Sequence, residues 1–231
     1  MRFDVVTLFP ELFAPFLRLG VTRRAFASGQ VAVQCTNPRD FAEGNYRRVD
    51  DRPFGGGPGM VMMAEPLRKA VAHAKLQRND AAPVVLFSPI GQHLNHAMVQ
   101  RWSASTGAIL ICGRYEGIDQ RFIDTLVDEQ ISLGDFVLSG GEIAAIALID
   151  AVARLQPGVL SDAASHQQDS FNPSLNGMLD CPHYTRPENW NGNPVPDVLR
   201  SGNHAQIERW RNNQRQQLTV LHRPNLLKQS V

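Results

Sequence analysis

The chain has 231 residues, of which 43% are hydrophobic and 19% are charged, and its formal net charge is +1. This length can bury a core without disulfides, and the composition excludes a disordered chain, a collagen-like fibre and a disulfide-stabilised mini-protein. The longest apolar run, residues 143–149, is far shorter than the about 20 residues of a membrane helix, so no membrane contact is predicted.

Strand-like and helix-like segments alternate over the first 155 residues. Strands are predicted at residues 2–8, 31–36, 84–88, 108–112 and 136–138. Helices are predicted at residues 11–19, 65–77, 96–104, 119–127 and 141–155. This alternation is typical of an α/β fold, and it predicts a mostly parallel sheet with helices on both faces in a domain that spans residues 1–160.

The remaining residues differ in composition. We interpret residues 161–177, which are polar and lack apolar periodicity, as an interdomain linker, and residues 178–231 as a small, mostly helical domain with its clearest helix at 205–218. Residues 186–231 carry 7 basic and 3 acidic side chains, a net charge of +4. A basic C-terminal segment favours an anionic macromolecular partner.

The cysteines and the N-terminal segment bear on the cellular compartment. Cys35, Cys112 and Cys181 are far apart and form no CxxC pair, so neither a disulfide framework nor a zinc site is predicted. Asp4 lies where a signal peptide would be apolar. We therefore expect a cytoplasmic protein.

Three glycine-containing loops, at residues 88–91, 113–119 and 133–142, lie at predicted strand ends. Because open α/β sheets bind ligands beyond the carboxyl ends of their strands, these loops predict a pocket. The glycine cluster at residues 55–59 lacks the lysine of a P-loop; it is either a tight turn or a place where backbone approaches a flat ligand such as a base. His93 and His96 have no third ligand at suitable spacing, so no metal site is predicted.

Read together, these segments closely resemble the bacterial tRNA (guanine-N1)-methyltransferases, the TrmD family of the SPOUT superfamily. The similarity covers nearly the whole chain. It is carried by LFPE at residues 8–11, NPRD at 37–40, VDDRPFGGGPGM at 49–60, GRYEGID at 113–119, LGDFVLSGGE at 133–142, PGVL at 157–160, DSF at 169–171, CPHYTRP at 181–187 and SGNH at 201–204.

The resemblance implies a fold and a reaction that spacing alone does not show. The implied fold has a trefoil knot towards the C-terminal end of the α/β domain. The implied methyl donor is S-adenosylmethionine, and the implied target is N1 of the guanine 3′ of the tRNA anticodon, position 37. The implied assembly is a homodimer with its active sites at the interface. The sequence leaves open whether Mg²⁺ assists.

The resemblance also implies roles for individual residues. Guanine N1 carries a proton, so its methylation needs a general base and a cation near O6; these roles fall on Asp169 and Arg154. Pro58, Gly59 and Ser165 are implied to bind the substrate. The residues implied to bind the donor are Leu86, Phe87, Ser88, Pro89, Gly91, Gly113, Tyr115, Glu116, Gly117, Ile118, Leu133, Gly134, Asp135, Phe136, Val137, Leu138, Gly140 and Gly141.

The sequence favours this reading over three alternatives. A SPOUT enzyme that methylates ribose 2′-oxygens would have little use for a carboxylate that removes a base proton. A non-catalytic RNA-binding protein on the same scaffold could have lost Asp169 or Arg154, and both are present. A dinucleotide oxidoreductase is disfavoured because the chain has no GxGxxG fingerprint.

Overall fold

The computed structural model describes residues 1–161 and 166–229. The chain divides into two compact units, Met1–Leu160 and Ser161–Val231. The elements of the first unit are the strands β1 (Arg2–Val6), β2 (Ala32–Thr36), β3 (Asp50–Asp51), β4 (Val61–Met62), β5 (Val84–His93), β6 (Gly107–Ile111) and β7 (Glu129–Ser132), and the helices α1 (Phe13–Arg18), α2 (Arg23–Ala27), α3 (Ala64–Leu76), α4 (His96–Ser103), α5 (Gln120–Leu126) and α6 (Glu142–Arg154).

Five of these strands form one sheet in the order β2-β1-β6-β5-β7. Every pairing in it is parallel, which confirms the predicted parallel sheet. β6 lies in the centre and all five of its residues are buried, because a strand covered on both faces needs a continuous apolar run. β3 and β4 pair separately as a short antiparallel ribbon.

Helices cover both faces of the sheet, as predicted. Successive side chains of a strand point to opposite faces. Leu110 of β6 belongs to an apolar cluster with Trp102 of α4 and Leu148 of α6. Ile111, the next residue, belongs to the other cluster, which includes residues of α3 and α5 such as Phe122. The sheet is therefore enclosed between two apolar layers.

The strand predicted at residues 136–138 was wrong. These residues form no regular structure, and Phe136 and Val137 are exposed. The sheet instead gains β7, whose polar sequence EQIS gives little strand signal because β7 is an edge strand and exposes part of its surface. Glu129 of β7 forms an ion pair with Arg101 at 2.5 Å.

An irregularity in β5 brings residues 88–91 out of the strand. Phe87 and Gln92 both pair with Ile131 of β7, so the four residues between them form a bulge. Glycine is required at position 91, where the chain rejoins β7 after the bulge, since a Cβ there would lie 2.5 Å from the backbone nitrogen of Ile131. The predicted loop is thus an excursion inside a strand that continues to His93.

The second unit contains a hairpin of β8 (Asn189–Trp190) and β9 (Asn193–Pro194), followed by α7 (Asp197–Arg200) and α8 (His204–His222). Arg215 of α8 is buried, and it pairs with Asp180 at 3.3 Å and Glu208 at 2.9 Å. These contacts fix the chain around residue 180 against α8. In the described residues of both units, no helix combines the length and apolar character needed to cross a membrane.

Candidate active site

A cavity of about 370 Å³ lies at the carboxyl ends of β6 and β7 and at the bulge of β5, where the sequence predicted a pocket. Three segments wall it: the bulge after Phe87, the loop after β6, and the loop between β7 and α6. All but two of the residues implied to bind the donor line this cavity. They are Leu86, Phe87, Ser88, Pro89, Gly113, Tyr115, Glu116, Gly117, Ile118, Leu133, Gly134, Phe136, Val137, Leu138, Gly140 and Gly141.

Gly91 and Asp135 are not among the lining residues. Gly91 packs on the backbone of β7, as described above. The side chain of Asp135 is 94% exposed, and one of its oxygens lies 3.3 Å from Nε2 of His93. The structure therefore places both at the margin of the cavity, and a role in donor binding stays a prediction for each of them.

The loops after β6 and before α6 are in direct backbone contact. The Gly141 amide donates a hydrogen bond to the Gly113 carbonyl at 3.0 Å. Gly141 also packs against the end of β6, because a Cβ at this position would lie 2.7 Å from Cα of Cys112. The start of α6 can thus approach the strand end only where residue 141 has no side chain.

We expect Gly141→Ala to lower the free energy of unfolding by about 1–3 kcal/mol, because the added methyl group overpacks a site bounded by backbone. Gly113→Ala is the matched control: its Cβ would meet only the Ile118 side chain, at 3.5 Å, and we expect a change within about 0.5 kcal/mol. Urea unfolding of the three proteins measures both values. Equal stabilities of the two variants would show that the start of α6 moves to make room for the methyl group without loss of stability.

The segment with the implied substrate residues Pro58 and Gly59 lies beside the loop at residues 113–118. The Glu116 amide donates to the Met60 carbonyl at 3.0 Å, and the Met62 amide donates to the Gly117 carbonyl at 2.9 Å. A Cβ at Gly59 would overlap the Glu116 side chain. The structure therefore brings Gly59, the last residue of the glycine cluster, next to Glu116 in the cavity lining.

Tyr115 has a left-handed backbone conformation, with φ of 60°, which is uncommon for a residue with a side chain. Its hydroxyl accepts a hydrogen bond from Arg39 at 3.5 Å. Burial and then the nearby Asp50 carboxylate raise the pKa of the Tyr115 phenol, so the ring is a neutral wall of the cavity. Arg39 and Asp50 belong to the motifs at residues 37–40 and 49–60, and the sequence did not show that these motifs interact with Tyr115.

Arg154 and Asp169 belong to different units. Arg154 is the last residue of α6 and is half-buried. Asp169 is half-buried in a turn, where its carbonyl accepts a hydrogen bond from the Asn172 amide at 3.2 Å. Asn172, three residues further on, is buried and caps the short helix Pro173–Leu175. Ser165 lies outside the described residues. The roles of Arg154, Ser165 and Asp169 stay predictions.

One group of side chains in the described residues has the composition of a metal site. Ligand atoms of Asp180, Cys181 and His183 lie within 4.8 Å of one another. Nε of Arg215 lies 3.3 Å from the Asp180 carboxylate and already supplies a positive charge there. Burial and then the Asp180 charge raise the pKa of the Cys181 thiol, which disfavours the thiolate that a metal would need. We therefore do not propose that Asp180, Cys181 and His183 bind a metal ion.

The sequence reasoning missed several residues of the site. Arg114 and Ser139 lie within the recognised motifs and line the cavity, but neither was assigned a role. Glu142 is 1% exposed, although its position at the start of a helix predicts only a solvent-exposed charge that interacts with the helix dipole. No sequence signal distinguishes a buried glutamate at this position from an exposed one.

Comparison with known proteins gives one consistent result. Residues 1–229 match the family model described as tRNA (Guanine-1)-methyltransferase TrmD. A protein named tRNA (guanine-N(1)-)-methyltransferase from Albidiferax ferrireducens is 76% identical over 230 residues, which are 100% of this chain and 93% of the relative. Proteins of the same name from a Polaromonas species and from Paracidovorax citrulli are 69% and 68% identical, over 100% and 98% of this chain and 90% and 91% of theirs.

A parallel α/β sheet with a glycine-lined cavity at its carboxyl edge is the architecture of enzymes that bind small ligands in loops after the strands. Within that class, the chain belongs to the tRNA (guanine-1)-methyltransferase TrmD family, which confirms the resemblance.

Proposed function

We propose that this enzyme transfers the methyl group of S-adenosylmethionine to N1 of guanine 37 of tRNA. The observation that carries the proposal is the cavity, in which three loops that are distant in sequence meet at one edge of the sheet. Membership of the methyltransferase family supports the reaction class and tRNA as the substrate. The donor and the position of the guanine come from the resemblance.

The cavity fits the proposed donor in size and lining. A volume of about 370 Å³ is within the range of small-molecule sites. Gly113, Gly140 and Gly141 line it, so a ligand can lie close to the backbone there, and side chains such as Leu86 and Ile118 supply apolar walls. When bound, S-adenosylmethionine supplies a methyl group on a positively charged sulfur.

The proposed base is the Asp169 carboxylate, which removes the proton from guanine N1 and makes that nitrogen nucleophilic. The proposed electrophilic group is Arg154, whose guanidinium stays charged and stabilises the negative charge that develops on O6. Pro58 and Gly59 would contact the guanine, because their segment borders the cavity and glycine permits a close approach.

The second unit has features of an RNA-binding surface. Trp190 in the β8–β9 hairpin is 65% exposed, and the ring of Tyr184 lies 6.2 Å from that of Trp210. Aromatic side chains of this kind stack on the bases of single-stranded RNA, and an anticodon loop offers such bases. The net charge of +4 over residues 186–231 adds attraction for phosphates.

The test is the identity of the methylated nucleoside. Purified protein is incubated with S-adenosylmethionine and an unmodified tRNA transcript that carries guanine at position 37, and the digested product is analysed by mass spectrometry. We expect 1-methylguanosine. A 2′-O-methylated nucleoside would instead support the ribose-methylating alternative, and tRNA binding without any methylation would support the non-catalytic one.

A further inference from the structure

Arg114, which lines the cavity, forms an ion pair with Glu142, which does not. Nη2 of Arg114 lies 2.9 Å from Oε2 of Glu142, whose side chain is almost completely buried. The other carboxylate oxygen, Oε1, accepts a hydrogen bond from the Thr7 hydroxyl at 2.8 Å. The Glu142 carboxylate is therefore hydrogen-bonded by the residue that follows β1, and its other oxygen is in an ion-pair contact, without a hydrogen bond, with the loop after β6.

The contacts of Arg114 continue into the loop between β7 and α6. Arg114 donates a hydrogen bond to the Ser139 carbonyl at 3.1 Å, and its guanidinium lies over the Phe9 ring at 4.4 Å. The Phe9 amide in turn donates to the Thr7 hydroxyl at 3.0 Å. Thr7, Phe9, Arg114 and Glu142 thus form a closed ring of contacts, which Arg114 connects to Ser139 in the opposite wall of the cavity.

Stability does not account for a charge pair in this place. The cost of removing two charges from water largely cancels their attraction, so apolar side chains of similar volume often replace buried ion pairs without loss of stability. This ion pair differs from such a replacement because the planar Arg114 guanidinium attracts Glu142 while it donates a hydrogen bond to Ser139 and stacks on Phe9. Gly140 leaves room for it, since a Cβ there would overlap both charged side chains.

We propose that Arg114 and Glu142 are positioning residues that set the separation between the loop at residues 113–118 and the loop at 138–141, and thereby the width of the donor cavity. The inference rests on the proposed function for the identity of the donor. Because Arg114 also lines the cavity, a direct contact with the donor carboxylate is the rival explanation.

The test uses two ligands, only one of which carries the carboxylate of the donor. S-adenosylhomocysteine has an amino-acid part, and 5′-methylthioadenosine lacks it. We expect the double variant Arg114→Met/Glu142→Leu to bind both ligands about tenfold more weakly or worse in calorimetry, because small displacements of a site have large effects. Unchanged affinity for both ligands, or a loss for S-adenosylhomocysteine alone, would overturn the positioning role.

A matched control lies at the opposite end of the sheet. Arg78 and Asp4 form another buried ion pair, with Nη1 of Arg78 2.7 Å from Oδ2 of Asp4, and it is distant in the fold from the cavity loops. Arg78→Met/Asp4→Leu should leave both affinities unchanged, and equal losses in the two double variants would overturn the inference.

Glu142→Gln is the second variant, for the case that the double variant does not fold. The amide keeps the shape of the side chain and removes its charge. It should lower the affinities for both ligands, by a smaller factor than the double variant does. Wild-type affinities in this variant, if it is folded, would overturn the inference. Thermal melting identifies the folded proteins. A wild-type protein that binds neither ligand would overturn the proposed function itself, and the inference with it.

Discussion

Asp169→Asn is expected to lower kcat by about 10²–10⁴, the range that a positioned general base contributes, while the affinity for S-adenosylmethionine stays unchanged. The amide keeps the size of the carboxylate but cannot take the proton from guanine N1. Donor affinity should survive because Asp169 lies outside the three loops that wall the cavity. Single-turnover kinetics and calorimetry measure the two quantities separately.

Asp197→Asn is the control for this prediction. Asp197 is in the same unit, its side chain is 92% exposed, and it pairs with Arg200 on its own helix. Its loss should leave kcat and donor affinity at wild-type values. If Asp169→Asn removes donor binding together with activity, Asp169 is a structural residue of the turn that Asn172 organises, and the assignment of the base is wrong.

Mixing Arg154→Ala chains with Asp169→Ala chains is expected to restore activity that neither variant has alone. We propose that the enzyme is a homodimer and that each active site takes Arg154 from one chain and Asp169 from the other. The two residues lie in different units. Val159 is buried in the first unit, and the Asp169 amide donates a hydrogen bond to the His166 carbonyl. The seven residue steps from Val159 to His166 can extend to about 23–25 Å, which is long enough to cross an interface.

In the mixed dimer one site would then lack both residues and the other would be intact. Activity per mixed dimer should therefore reach at most about half of the wild-type value, because a symmetric dimer has two equivalent sites. Subunit exchange is verified by native mass spectrometry. Mixing Arg154→Ala chains with chains that carry both substitutions is the control, since no combination of these chains contains Arg154. Full exchange without recovered activity would show that each site takes both residues from a single chain.

The pocket could be predicted because its signal is local. Glycine-containing loops after buried strands are visible in the sequence, and parallel strands bring their carboxyl ends to one edge. The family resemblance then supplied the individual residues, and nearly all of those implied to bind the donor line the cavity. Gly91 shows the limit of this reasoning: its absent side chain accommodates β7 and does not face the cavity.

The rest depends on tertiary contacts that no local pattern contains. Phe136, Val137 and Leu138 resemble a strand because they are apolar and consecutive, but they wall a cavity at the surface. β7 was missed because only Ile131 of its four residues is a buried apolar residue. The ion pair of Arg114 with Glu142 joins residues from distant segments. The knot stays a prediction of the resemblance, since sequence periodicity carries no information about how a chain is threaded.

The most direct test of the central claim compares two tRNA transcripts that differ only at position 37. The protein is incubated with S-adenosylmethionine labelled on its methyl group and with a transcript carrying either guanine or adenine at that position. The proposed function predicts that label enters the guanine transcript, one methyl group per tRNA, and that the adenine transcript stays unlabelled. Equal labelling of both transcripts would contradict it, because the methyl group would then be transferred to another nucleotide.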